Sequence, residues 1–123
     1  MSAKVLLVDD EKDFLDIMAE RMEARGIDVS IAGSAEDALK MVQADSYDAV
    51  IIDFLMPEMD GFSALKLFKE SQPDLSVILL TANVTEAKRL EAIKLGALDV
   101  LEKPADLNLL TQKIEDAKTQ RNK

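Results

Sequence analysis

Apolar residues fall along this chain in two alternating rhythms. Short unbroken runs of strand length, Val5 to Val8, the weaker Ile27 to Ala32, Ala49 to Ile52, Val77 to Leu80 and Leu98 to Leu101, are each followed by a segment whose apolar residues recur three and four apart. Phe14, Ile17, Met18 and Met22 predict one helical face, and Ala35, Ala38, Leu39 and Val42 a second. Leu65 with Phe68, Leu90 with Ile93, and Leu107, Leu110 and Ile114 predict three more. Gly26 and Gly96 stand where helices should stop, while Ser34 with Asp37, and Thr85 three residues after Ala82, stand where helices should start. The pattern is a βα unit repeated five times. Near-continuous apolar strands imply burial on both faces, hence a parallel sheet with helices on either side. Right-handed crossovers then favour the doubly wound α/β order 2-1-3-4-5.

In such a sheet ligands bind beyond the carboxyl ends of the strands, where neighbouring connections diverge. The first strand, in KVLLVDDEKDF, delivers Asp9 and Asp10 to that edge. The third, in VIIDFLMPEMDG, delivers Asp53. The fourth, in VILLTA, delivers Thr81, and the fifth, in DVLEKPA, leads to Lys103. Taken singly each has an ordinary role: an Asp pair caps a helix or lines a solvated turn, Thr81 is a strand residue and Lys103 a solvated charge. Met56, Pro57 and Met59 read as loop packing and turn chemistry, and Gly61 as a loop or helix-entry position rather than a ligand site. Their coincidence at one edge raises a different reading. Two carboxylates ~5 Å apart repel by roughly 3 kcal/mol at an effective dielectric of ~20, so a cation or protons must share the site. Oxygen donors without His or Cys suit Mg²⁺, or Mn²⁺, and magnesium leaves room for phosphate oxygens. The acidic run after the first strand is thus half of a magnesium cradle, with Glu11 serving only the first helix.

Composition narrows the chemistry. The 123 residues suit one domain, 1–123, whose polar tail Thr119 to Lys123 is either a frayed helix end or the stub of a linker. The absence of cysteine removes thiolate chemistry and suits a reducing cytoplasm; the absence of histidine removes imidazole bases, His-ligated zinc and any histidine phosphoryl carrier. With 24 acidic against 15 basic residues the net charge is −9, the wrong sign for direct nucleic-acid binding. No apolar run approaches the roughly 20 residues that span a bilayer, so no membrane contact is expected.

The set VDD, DFLMPEMDG, TA and KP, in this order on a five-unit α/β pattern, resembles the chemotaxis-regulator-like receiver domain of bacterial two-component response regulators from about Lys4 to Lys118. The resemblance implies the flavodoxin-like fold, with Asp53 as a nucleophile that takes a phosphoryl group, Asp10 as a direct Mg²⁺ ligand, Asp9 holding its waters and the Leu55 backbone carbonyl as a further ligand. Lys103 would pair with one phosphoryl oxygen and Thr81 would donate to another; a cis Lys103-Pro104 bond is implied as well. The donor would be a histidine kinase, a histidine phosphotransfer protein or a small acyl phosphate. Output would run through the fourth helix, fifth strand and fifth helix, about Glu86 to Ala117, to a protein target. The domain would catalyse only its own phosphorylation and dephosphorylation. One departure stands out: where the family usually has Tyr or Phe three residues before the Lys, this chain has Val100, so propagation is expected to rely on backbone movement around Ala82 to Val84. Ala105 also replaces the Phe common after Lys-Pro, a packing change.

The rival readings fit less well. A magnesium-dependent aspartyl phosphatase or phosphotransferase would want D-x-D after the first strand and a covering lid, and nucleotide hydrolysis would want a G-x-x-x-x-G-K-[ST] loop. A flavodoxin-like cofactor binder would offer hydroxyls and amides where Asp9 and Asp10 stand. A degenerate receiver serving only as an interaction module remains open.

Overall fold

The computed structural model describes residues 3–56 and 59–121; Pro57, and Asn122 and Lys123 of the tail, lie outside the described residues. Strands β1 (Lys4–Val8), β2 (Asp28–Ala32), β3 (Ala49–Asp53), β4 (Leu55–Met56), β5 (Met59–Asp60), β6 (Ser76–Thr81) and β7 (Asp99–Glu102) alternate with helices α1 (Lys12–Glu23), α2 (Ala35–Ala44), α3 (Gly61–Ser71), α4 (Glu86–Lys94) and α5 (Leu107–Arg121). Five strands form one sheet in the order β2-β1-β3-β6-β7, and every pair is parallel. The two-residue strands β4 and β5 make a separate antiparallel ribbon. With that ribbon set aside, the order is the expected 2-1-3-4-5.

Alternate residues of each buried strand feed two cores. Leu6, Val8, Val50, Ile52, Val77 and Leu79 meet α2, α3 and α4, whereas Val5, Leu7, Ala49, Ile51, Ile78 and Leu80 meet α1 and α5. Full burial of each such side chain contributes roughly 1.5–3 kcal/mol, which holds the sheet rigid while its carboxyl edge carries charge. The helix boundaries follow their predicted chemistry. Ser34 Oγ accepts from Asp37 N–H and Thr85 Oγ1 from Lys88 N–H. Gly26 and Gly96 take φ of 84° and 105°, and the residue after each donates back five positions, Ile27 to Met22 and Ala97 to Ala92, closing the helix ends. At the tail α5 continues through Arg121.

Two predicted faces are corrected. Ile17 is 53% exposed, because α1 turns Leu15, Met18, Ala19 and Met22 inward and leaves Phe14 at the margin. Leu90 and Ile93 are exposed as well, and α4 buries only Ala92 outright. Its inward arc runs through Lys88, Ala92 and Leu95, spaced i, i+4, i+7, with Lys88 and Leu95 half-buried. An apolar pair three apart fixed a helix without fixing which side the crossover turns to the sheet.

Candidate functional site

Parallel register assembles the site. Val8 lies opposite Ile52, so the residues that follow, Asp9 and Asp53, emerge side by side; Asp53 lies opposite Leu80, and Thr81 opposite Glu102, one residue short of Lys103. Asp9, Asp10 and Asp53 bring carboxylate oxygens within 4.8 Å of one another. An open cavity of about 540 Å³ lies over them, lined by Asp10, Glu11, Asp53, Leu55, Thr81 and Lys103 among others. Asp9 is buried behind it, and Asp10 is exposed within it.

Backbone geometry holds each group in place. Asp9 Oδ1 accepts from Glu11 N–H at 2.9 Å, and the Leu55 N–H points at Asp53 Oδ1 at 3.5 Å. The Gly61 N–H donates to the Phe54 carbonyl at 2.7 Å, and a Cβ at position 61 would lie 2.6 Å from Phe54 Cδ2 and 3.0 Å from its Cα. Only glycine lets α3 close on the residue after Asp53. Met56 is buried and Met59 packs against the same core, as their loop-packing role requires. The Lys103-Pro104 peptide is cis.

The charges are crowded and incompletely paired. Lys103 Nζ donates to Asp9 Oδ2 at 2.7 Å, Glu11 Oε1 at 3.1 Å and Asp53 Oδ2 at 3.4 Å, and sits 4.3 Å from the centroid of the Phe14 ring. Burial by itself would pull the Lys103 ammonium down, but the hydrogen bonds to Asp9 and Glu11 and the charges of Asp53 and Asp9 outweigh it and push its pKa up. Asp53 moves in the uncomfortable direction. Burial first, then the negative charge of Asp9, raise its pKa against the pull of Lys103 and the Leu55 N–H. One ammonium thus serves several carboxylates, and oxygen-only donors at this spacing fit a hard divalent cation.

Two residues near this edge were missed in sequence. Glu11 does not serve α1 alone: it occupies the position before the helix without capping it, and its carboxylate goes to Lys103 instead. Lys88, from α4, donates to Thr81 Oγ1 at 3.2 Å. A charge in the first turn of a helix reads as solvated, and only the arc it shares with Ala92 and Leu95 carried a signal.

Comparison with known proteins agrees with this geometry. The family model described as response regulator receiver domain matches residues 5–115. The chain belongs to the response regulator receiver domain family. Among curated relatives of this receiver domain, the transcriptional regulatory protein ZraR of Salmonella typhimurium is 36% identical over 113 residues, covering 92% of this chain and 26% of the relative. The response regulator SaeR of Staphylococcus epidermidis is 39% identical over 100 residues, covering 81% of this chain and 43% of the relative. The chain therefore spans less than half the length of either. The solved receiver domain of the Francisella response regulator 1452 superposes with a TM-score of 0.90 at 31% identity, covering 99% of this chain and 100% of that one.

Proposed function

We propose that this receiver domain accepts a phosphoryl group on Asp53 and passes the event to a protein target. The observation that carries the reading is a buried carboxylate, Asp53, whose pKa is raised by burial and by Asp9, at a sheet edge that supplies one ammonium and one hydroxyl. An Asp53 oxygen attacks phosphorus in line; the new O–P bond forms as the donor's bond to phosphorus breaks, and the donor keeps that electron pair. Lys103, already within 3.4 Å of Asp53, pairs with one phosphoryl oxygen, and the Thr81 hydroxyl donates to another.

Asp9, Asp10 and Asp53, with the Leu55 carbonyl, are the residues that would hold Mg²⁺ or Mn²⁺. Such an ion would neutralise the carboxylates and bind phosphoryl oxygens. Asp10, exposed in the cavity, is the natural direct ligand; Asp9, buried and tied to Lys103, orients from behind. With no histidine in the chain, the phosphoryl group comes from a histidine kinase, a histidine phosphotransfer protein or a small acyl phosphate. The output face is α4, β7 and α5. The charge of −9 argues against direct nucleic-acid contact, and among the described residues no helix is long and apolar enough to cross a membrane. A cytoplasmic setting suits the lack of cysteine.

Intact-mass measurement tests the reading. Incubation with Mg²⁺ and acetyl phosphate is expected to add one phosphoryl group, and Asp53→Asn to add none. Sustained release of many phosphates per protein, or uptake persisting in Asp53→Asn, would overturn it.

A further inference from the structure

The arc along which α4 meets the sheet begins with a lysine. The Lys88 ammonium donates to Thr81 Oγ1 at 3.2 Å and to the Asn83 carbonyl at 2.9 Å, and lies 4.6 Å from the centroid of the Phe54 ring. These partners belong to the end of β6, the loop that follows it, and the residue next to Asp53. Phe54 is itself braced edge-to-face against Phe62, with ring centroids 4.9 Å apart. A lysine head left to itself stays in water, because ordering it costs rotamer entropy. Three converging contacts give this one a fixed place.

Accepting Asp53 as the phosphoryl acceptor, we propose that Lys88 is a positioning residue: it orients the Thr81 hydroxyl for phosphoryl capture and makes α4 answer to that capture. A hydroxyl has one proton and two lone pairs. At Thr81 the oxygen accepts from the Asn83 N–H at 3.4 Å and from Lys88, which has no lone pair to take the proton in return. The proton is left for a third direction, and Thr81 borders the cavity that holds Asp53. Donation from a cation also polarises the O–H bond and strengthens its next hydrogen bond. The resulting chain, ammonium to hydroxyl to phosphoryl oxygen, starts on the third residue of α4.

The next residue extends the connection. Arg89 pairs with Asp99 at 2.9 Å, at the opposite end of β7 from Lys103. The first turn of α4 is thereby fastened to the acceptor edge by one side chain and to the base of the output strand by its neighbour. Val100, fully buried in the α4-side core, has no ring to swing, so this polar route links Thr81 to the helix without an aromatic rotamer.

Phosphorylation by acetyl phosphate with Mg²⁺ is measured for wild type, Lys88→Met, Lys88→Arg, Thr81→Ala and the Lys88→Met/Thr81→Ala double variant. Lys88→Met is expected to slow phosphoryl uptake about tenfold, the loss of one charge-assisted hydrogen bond, and Lys88→Arg to recover it to within about threefold. In the Thr81→Ala background, Lys88→Met should change the rate less than about twofold, since the residue acts through the missing hydroxyl. Amide shifts on adding beryllofluoride should reach Glu86–Lys94 in wild type and stay within the Asp53 pocket in Lys88→Met. Wild-type rates in Lys88→Met, or an equal loss with and without Thr81, would overturn the role of Lys88. Failure of wild type to take up phosphoryl would instead overturn the reading of Asp53.

Discussion

Two buried aspartates stand at opposite ends of this sheet, and their surroundings push them in opposite directions. Asp53, at the carboxyl end of β3, shares one lysine with Asp9 and Glu11, and its pKa rises. Asp99, at the amino end of β7, is also buried, which by itself would raise its pKa. There the Lys113 hydrogen bond, the Val100 N–H at 2.7 Å and the Lys113 and Arg89 charges overcome the penalty and lower it. The fold can therefore satisfy an internal carboxylate when two cations and an amide converge on it. That Asp53 is left short marks the carboxyl edge as the place where stability gives way to chemistry.

Exchanging each for its amide separates the two most sharply. Asp53→Asn is expected to abolish phosphoryl uptake, whereas Asp99→Asn should keep it within about threefold, read by intact mass over time. Next in size is the effect of cations: excess chelator should slow uptake by about 100-fold or more, with Mg²⁺ restoring it, since the acidic edge then faces the phosphoryl oxygens unneutralised. Stability should change with opposite signs. Asp99→Asn is expected to cost about 2 kcal/mol in denaturant unfolding, less than for a fully enclosed pair because Arg89 and Lys113 reach solvent. In metal-free buffer Asp53→Asn should gain on the order of 1 kcal/mol by removing repulsion from Asp9.

The smallest effect is in pH dependence. A carboxylate lowered by folding stabilises above its unfolded pKa of about 3.9, and that contribution drains away as acid carries it through the still lower folded value. Unfolding free energies measured from pH 5 down to pH 2 should fall more steeply in wild type than in Asp99→Asn. Parallel slopes would show that Asp99 is not held by its cations.

Much of this architecture was legible in sequence because strand burial is a local signal. Ala49 to Ile52 and Val77 to Leu80 are apolar without a break; β3 extends the first by one residue at its carboxyl end, and β6 extends the second by one residue at each end. The acidic edge was legible for a related reason: parallel strands of equal register deliver their terminal residues together, so Asp9 and Asp53 had to meet. The rest depends on rotation and reach. Leu90 and Ile93 define a helix whose orientation is set by the packing of Ala92, and Glu11 and Lys88 act through flexible stems whose ends sequence does not place. Asp99 escaped notice because its partners come from α4 and α5, ten and fourteen residues away on opposite sides.

At position 61 the essential feature is a side chain that is missing. Helix α3 rests directly on the main chain beside the acceptor, like a shim of zero thickness. Any larger residue there would have to displace Phe54, the residue next to Asp53, and in-line displacement is sensitive to small offsets of the attacking group. The reactivity proposed for Asp53 would thus be calibrated by an atom count at a position outside the lining of its cavity.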